Sequence, residues 1–505
     1  MVLLKRERWP LVITVALFAA GLLLRLWGAM YGRFLGDEAH QWATAVHIAR
    51  FEEFPSFGPS VSGSAANVPG PLFYYLMAIP ELLSSHPYLC GAFTSLLHLL
   101  CIAGLYRLAK EARGTTAALF LLAMLVANPW EVFYGDRVWS ACMMPVWAMG
   151  TAYASCRVTN PKWQAALLVL LFSAPQIHLS APVLWVLSAI LLLLGPRFKL
   201  SWKWIGIGVL ATALLWTPPL IQELRTDFAN TRAILSEGGG HEPAEKTRQI
   251  PWRTALYTVL FSTSEIGYQF GEGYFGWKPF DDAAEYGTNA GLARRIEQAG
   301  PLRAALQILS VVVAALCWIA FAIVWARTRW KGRVAPLEVR LTLAVVGSMV
   351  VAAALLMFAH KPFFPHYLLY VGPLAVWPVA MMLDRAYAQF GRVGGGAVIA
   401  TTCAVVIGMA INVVHYYREI DGCNGVMATV SMVAAVQKGP QPYSVRFEGM
   451  NNQFVWNQVS SVRPNEDTVR REPRPTRYLV HNAETQSAAI SPQGTLHYGV
   501  ELERQ

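Results

Sequence analysis

An all-α polytopic membrane protein is the fold class that this 505-residue chain predicts, and three observations predict it. Hydrophobic residues make up 55% of the chain and charged residues only 14%, whereas a soluble domain is about a quarter charged. Apolar runs long enough to cross about 30 Å of hydrocarbon recur from one end to the other. The Lys and Arg residues behind the net charge of +10 fall in short clusters between those runs. That is the pattern of topology control, and it argues against a nucleic-acid partner.

Lys5, Arg6 and Arg8 precede an apolar run over residues 11–30. No small-residue cleavage site closes the run, so it reads as a retained first helix with its N-terminus in the cytoplasm. Arg25, near the outer end of that helix, reads as a snorkelling side chain. Two adjacent carboxylates, Asp37 and Glu38, follow on the outer side in the stretch Phe34-Leu35-Gly36-Asp37-Glu38-Ala39-His40-Gln41-Trp42. Residues 39–53 put Trp42, Ala45, Val46 and Ala49 on one helical face and Gln41, Thr44 and Arg50 on the other, which predicts a short interfacial helix. Residues 55–71, rich in Ser, Gly and Pro, are expected to be irregular. Residues 71–83 are apolar but short for a crossing, so a second interfacial or re-entrant helix is expected there.

The positive-inside rule then orders the rest. Spans at residues 88–108, 115–133 and 141–156 place Arg107, Lys110 and Arg113 inside, Asp136 and Arg137 outside, and Arg157 and Lys162 inside. A tight pair over 164–194, short for two crossings, turns outside near Gln176 and Ser180 beside Pro175 and Pro182; such helices often line a cavity. Spans at 204–220, 302–325, 341–358, 367–383 and 393–414 complete about eleven, with Lys or Arg on every short inner loop. Residues 221–301 form a long outer segment, where length suggests function such as a lid or acceptor contact. Residues 415–505 form an extracytoplasmic tail, with a helix-like run at 425–436 and strand-like pieces at 443–447 and 477–480. A small α/β domain is expected there.

Six of the seven cysteines lie in or near spans and Cys423 stands alone in the tail, so no structural disulfide is implied. The chain carries no Cys/His zinc spacing, phosphate-binding glycine loop or Gly-x-Ser-x-Gly elbow. Nucleotide-driven chemistry therefore has no visible seat.

Taken in order, an outer Gly36-Asp37-Glu38-Ala39 after the first span, Pro69-Gly70-Pro71-Leu72-Phe73-Tyr74-Tyr75-Leu76, an outer Tyr134-Gly135-Asp136-Arg137, Gln176-Ile177-His178 and Pro365-His366-Tyr367 before a Pro-containing span form a pattern. It resembles the membrane GT-C glycosyltransferases, the nearest branch being bacterial relatives of protein O-mannosyltransferases and of the lipid A aminoarabinose transferase. The resemblance spans residues 1–414. It implies a GT-C transmembrane domain in the bacterial inner membrane. It also implies inverting transfer of a sugar from a polyprenyl-phosphate donor to a lipid, glycan or protein acceptor on the extracytoplasmic face.

Such a transfer needs a base for the acceptor hydroxyl and cations for the departing phosphate. The resemblance assigns the base to Asp37. Glu38 would orient the acceptor or a cation, or support the loop. The alternative for this pair is helix capping, and the two roles can coexist. Arg137 and Lys361 are the candidates for the donor phosphate, with His366 and Tyr367 adding hydrogen bonds. The alternatives are a salt bridge to Asp136 for Arg137 and an interfacial anchor for Lys361. His178, read as a satisfied polar group, and Glu223 are candidate pocket residues. No cofactor or protein metal site is called for, and a divalent cation is left open. A flippase or transporter of lipid-linked sugars is the alternative function, for which ionisable residues and broken helices inside several spans are the expected signature. An inactive scaffold with this fold is a third reading.

Overall fold

The computed structural model describes residues 2–32, 34, 36–59, 66–237, 301–327, 336–358, 368–421, 443–447, 476–482 and 500–504, with short pieces between 426 and 462. In chain order the helices begin with α1 (Val2–Tyr31), α2 (Gly36–Ala49), α3 (Leu72–Glu81), α4 (Pro87–Arg113) and α5 (Thr115–Ala127). Next come α6 (Pro129–Gly135), α7 (Met144–Cys156), α8 (Lys162–Ser173), α9 (Val183–Leu193), α10 (Trp202–Arg225) and α11 (Ala229–Glu237). Then follow α12 (Pro301–Arg327), α13 (Leu337–Phe358), α14 (Val371–Gln389) and α15 (Gly391–Asp421). Six of these, α1, α4, α10, α12, α13 and α15, are long and apolar enough to cross a membrane, and the bent pair α5–α6 makes a seventh if counted as one span. The protein is an integral membrane protein. Helices also occupy the other four places where spans are expected, α7, α8, α9 and α14, without meeting that criterion by themselves.

The sharpest feature is the corner between α5 and α6, which bend by 56°. Pro129 lacks the amide that would bond the Leu125 carbonyl, so the helix stops. Asn128 then starts a new one by accepting the Glu131 amide at 3.0 Å. Arg25 of α1 supplies the missing donors, giving Nη2 to the Leu125 carbonyl at 3.2 Å and Nη1 to that of Val126 at 3.0 Å. This corrects the snorkelling reading: Arg25 is 0% exposed. It turns inward because a broken helix end beside it offers carbonyls that lipid cannot satisfy. His98 of α4 closes the corner, with Nδ1 3.2 Å from Glu131 and Nε2 donating to the Cys142 carbonyl at 2.9 Å.

A second proline break is repaired in the same way. Pro218 and Pro219 lie inside α10, and the carbonyl of Leu215, four residues before Pro219, accepts from Gln176 Nε2 at 3.0 Å. Gln176 sits at the turn of the short α8–α9 pair, and the backbone of Gly70 packs against it so closely that a Cβ there would lie 2.8 Å from its Cγ. The backbone at Gly70 is thereby seated on the turn. At the opposite end of the bundle Arg113 donates to Asp384 at 2.8 Å and lies 3.5 Å from Glu338, which also pairs with Arg385. These contacts tie α4, α13 and α14 together.

A short helix is present where one is expected over 71–83, as α3. The helix expected over 39–53 is α2, and it differs from an interfacial helix with one wet face: Gln41 and Thr44 are buried along with Trp42, Ala45 and Val46. Gln41 goes under because its Oε1 accepts the Ser140 amide at 2.8 Å. In the tail, β1 (Tyr443–Phe447) pairs parallel with β2 (Thr476–Asn482), which pairs antiparallel with β3 (Val500–Arg504).

Candidate active site

The first turn of α2 presents the two carboxylates differently. A residue at the start of a helix and its neighbour point about 100° apart, so one can face out while the other faces in. Asp37 is exposed and Glu38 buried. Acidic side chains also suit this end of a helix, where unpaired amides carry partial positive charge. Glu38 meets Arg137, which arrives from the residue pair just beyond α6, and the two form a buried ion pair. The Arg137 guanidinium lies 5.1 Å from the Phe133 ring centroid and 5.6 Å from that of Trp139, contacts that favour a planar cation. The partner of Arg137 is thus Glu38 rather than Asp136. Asp136 turns the other way, into the bundle, and accepts from the Tyr417 hydroxyl.

Asp37 opens to the surface, yet the protein around it strips enough water that its pKa is pushed up from the ordinary carboxylate value. Arg137 and His40 oppose that rise. His40 follows Asp37 by three residues on the same helix, a spacing that puts the two on one face, and its ring meets Tyr74 of α3 edge-on at 6.1 Å. Asp37 in turn helps raise the Tyr74 phenol, after loss of hydration as the larger cause. The sequence reading quoted His40, Gln41 and Tyr74 within its motifs but gave none of them a role in the site. The first was visible from its three-residue spacing to Asp37; Gln41 was read only as part of a polar face and Tyr74 only as part of a motif, and their partners appear once the helices are packed.

A further acidic residue is buried on α3. Glu81, at the end of α3, accepts from Cys90 Sγ at 3.0 Å and is buried between α2, α3 and α4. Burial pushes its pKa up to about 7, against the pull of its hydrogen bonds from Cys90 and Trp42.

The remaining candidates are placed unequally. His178 is buried, and its Nδ1 takes the Ser180 amide at 3.2 Å and lies 2.9 Å from the Ser180 hydroxyl. Burial pushes it down to about 4, which keeps the ring neutral. Glu223 accepts from the Thr231 hydroxyl at 2.9 Å and so ties the end of α10 to α11. The segment it anchors reaches back to the first loop, where Asn67 and Asn230 exchange hydrogen bonds of 2.6 and 3.2 Å. Lys361, His366 and Tyr367 lie outside the described residues, as do Cys423 and residues 238–300 of the long outer segment. The site among the described residues therefore brings Asp37, Glu38 and Arg137 together with His40 and Tyr74, and leaves His178 and Glu223 engaged by their own neighbours. No group of three His, Cys, Asp or Glu residues with metal-holding geometry occurs among the described residues.

No protein-family model matches the chain, and no curated protein matches it in sequence. Solved structures do. ArnT from Cupriavidus metallidurans bound to undecaprenyl phosphate is similar with a TM-score of 0.56 at 12% identity, over 93% of this chain and 93% of that one. The same protein in its apo state gives 0.55 at 13% identity and the same coverage. The Archaeoglobus fulgidus oligosaccharyltransferase, in complex with Zn and sulfate, gives 0.50 at 12% identity, over 92% of this chain and 59% of that one. At such identities the likeness is one of fold, and it runs through nearly the whole chain. The protein therefore has the fold of the GT-C superfamily of membrane glycosyltransferases.

Proposed function

We propose that the protein moves a sugar from a polyprenyl-phosphate donor to an acceptor on the extracytoplasmic face of the membrane, with inversion at the anomeric carbon. The observation that carries this reading is an exposed carboxylate, Asp37, set at the start of a helix beside a buried arginine. It lies in a fold shared along its length with a protein whose structure holds undecaprenyl phosphate. Asp37 takes the proton of the acceptor hydroxyl as that oxygen attacks the anomeric carbon. The bond from that carbon to the phosphate oxygen breaks on the opposite face, and polyprenyl phosphate leaves with the electron pair. A base whose pKa is raised holds the proton it takes more firmly.

Arg137 is the cation for the departing phosphate, and Glu38 holds its guanidinium in place. Lys361, His366 and Tyr367 remain candidates for the same phosphate. A divalent cation beside the phosphate is a further proposal, as is the orientation with N-terminus inside and active site outside.

The flippase reading has one observation in its favour: Arg25, His98 and Glu131 are ionisable groups within α1, α4 and α6, next to a broken helix pair. Each of them is 0% exposed and engaged with a neighbour across the corner. They therefore serve the corner rather than line a path.

The test is transfer by purified protein from a panel of polyprenyl-phosphate sugars to candidate acceptors, with wild type beside Asp37→Asn and products identified by mass spectrometry. A glycosylated product from wild type alone, with donor still bound by Asp37→Asn, is the expected result. Folded Asp37→Asn that still transfers sugar sinks the base assignment.

A further inference from the structure

Tyr417 and Asp136 make a contact that the proposed transfer does not use. Tyr417 lies near the outer end of α15, the last membrane helix, and is 1% exposed; its ring packs 6.0 Å from that of Trp27 on α1. Its hydroxyl donates to the Asp136 carboxylate, which is 4% exposed. The surroundings leave that carboxylate no other place. At Gly28 a Cβ would collide with the Asp136 carboxylate and the Tyr417 ring, and at Gly91 it would come within 2.6 Å of the Asp136 carbonyl. Glycines on α1 and α4 thus let both helices close on Asp136 from two sides. Just beyond α15, the Val426 amide donates to the Gly32 carbonyl at 3.0 Å, fastening the same helix end to the loop that leads into α2.

Asp136 immediately precedes Arg137. Gripping one residue by its backbone and side chain fixes the direction in which the next side chain leaves, and Arg137 leaves toward Glu38. Resting on the donor-phosphate reading of Arg137, we propose that Asp136 is a positioning residue for Arg137, held by the Tyr417 hydroxyl, so that the last membrane helix sets how the cation is presented to the lipid phosphate. The hydroxyl acts through Asp136, and removing it leaves Arg137 paired with Glu38 but loosens the backbone from which its side chain departs.

The experiment measures binding of undecaprenyl phosphate to the full chain in detergent for wild type, Tyr417→Phe, Arg137→Ala and the double variant, with thermal unfolding recorded for each. Tyr417→Phe is expected to weaken binding about tenfold, the scale of one hydrogen bond to a charged group. The double variant is expected to bind no worse than Arg137→Ala alone, because the hydroxyl then has nothing left to position. Tyr417→Phe that binds like wild type, or losses that multiply in the double variant, overturns the proposal and leaves the donor reading standing. Wild type that binds no lipid phosphate overturns the donor reading and this proposal with it. Should Tyr417→Phe not fold, Asp136→Glu, which shifts the carboxylate by one methylene, takes its place with the same non-additivity expected.

Discussion

Asp37 shows how one side chain's surroundings set its chemistry. Lost hydration raises its pKa, while the charges of Arg137 and His40 hold it down. As a base it works only when ionised, so transfer should rise with pH through a midpoint above the ordinary aspartate value. Replacing Arg137 by Gln removes one of the groups that favour the charged form, and the acid limb of the pH–rate profile should move up. An acid limb that stays in place when Arg137 is replaced refutes the pairing of the two residues in the working enzyme. Gln substitution should also raise the donor KM, since the same guanidinium is assigned to the phosphate. Glu38 is the reason that Arg137 can be buried at all, because an unpaired guanidinium under two aromatic rings would be costly.

Helix packing makes two further effects measurable. Arg25 stabilises the α5–α6 corner by donating to two carbonyls at the end of α5, where the helix breaks. Arg25→Met removes those bonds and strips the positive charge from beside Glu131 and Asp136. Breaking a buried charge of this kind costs about 3–5 kcal/mol. Arg25→Lys keeps the charge but not the fork, and should fall between wild type and Met in thermal unfolding; Lys as damaging as Met would mean that the charge alone contributes nothing.

Glu81 carries a pH-dependent term where α2, α3 and α4 meet. Its folded pKa, about 7, lies above the ordinary 4.5, so folding favours the protonated form. That contribution is complete below the unfolded value and is lost as pH rises through the folded one, a fall of roughly 3 kcal/mol across the interval. Glu81→Gln, which still accepts from Cys90, should remove this slope. Wild type and variant should unfold at similar temperatures near pH 5, with the variant ahead at pH 8. Parallel curves across that range would place the titration elsewhere.

For the molecule as a whole, the two ends of the bundle are held differently. The end bearing Arg113, Glu338, Asp384 and Arg385 is clamped by ion pairs between α4, α13 and α14. The end bearing Asp37 is built from broken and short helices whose loose carbonyls are capped by Arg25 and Gln176. Irregular backbone within a membrane protein survives only where protein or a cavity satisfies it, so the end bearing Asp37 suits the proposed site for a lipid head group and an acceptor. The proposed orientation predicts that an impermeant thiol reagent applied outside labels a cysteine placed at Ser84, between α3 and α4, and not one at Lys199, between α9 and α10. Both positions are exposed. The reverse labelling pattern would invert the topology and put the carboxylates inside.

Composition, run length and the placement of Lys and Arg were enough to determine the membrane class, the places where the apolar helices lie and the carboxylate pair that follows the first of them. These are properties of single segments against solvent or lipid, and a segment carries them alone. The tertiary structure decided who meets whom. Asp136 and Arg137 are neighbours in the chain, yet at the end of α6 their side chains diverge, one to Tyr417 about 280 residues away and the other to Glu38. Arg25 near a helix end has two outcomes, outward to head groups or inward to a partner, and only a broken helix beside it selects the second. The polar face of α2 is buried because Gln41 finds the Ser140 amide on a distant segment. Each of these rests on a hydrogen-bond partner brought close by packing, which no periodicity or charge count along a single chain encodes.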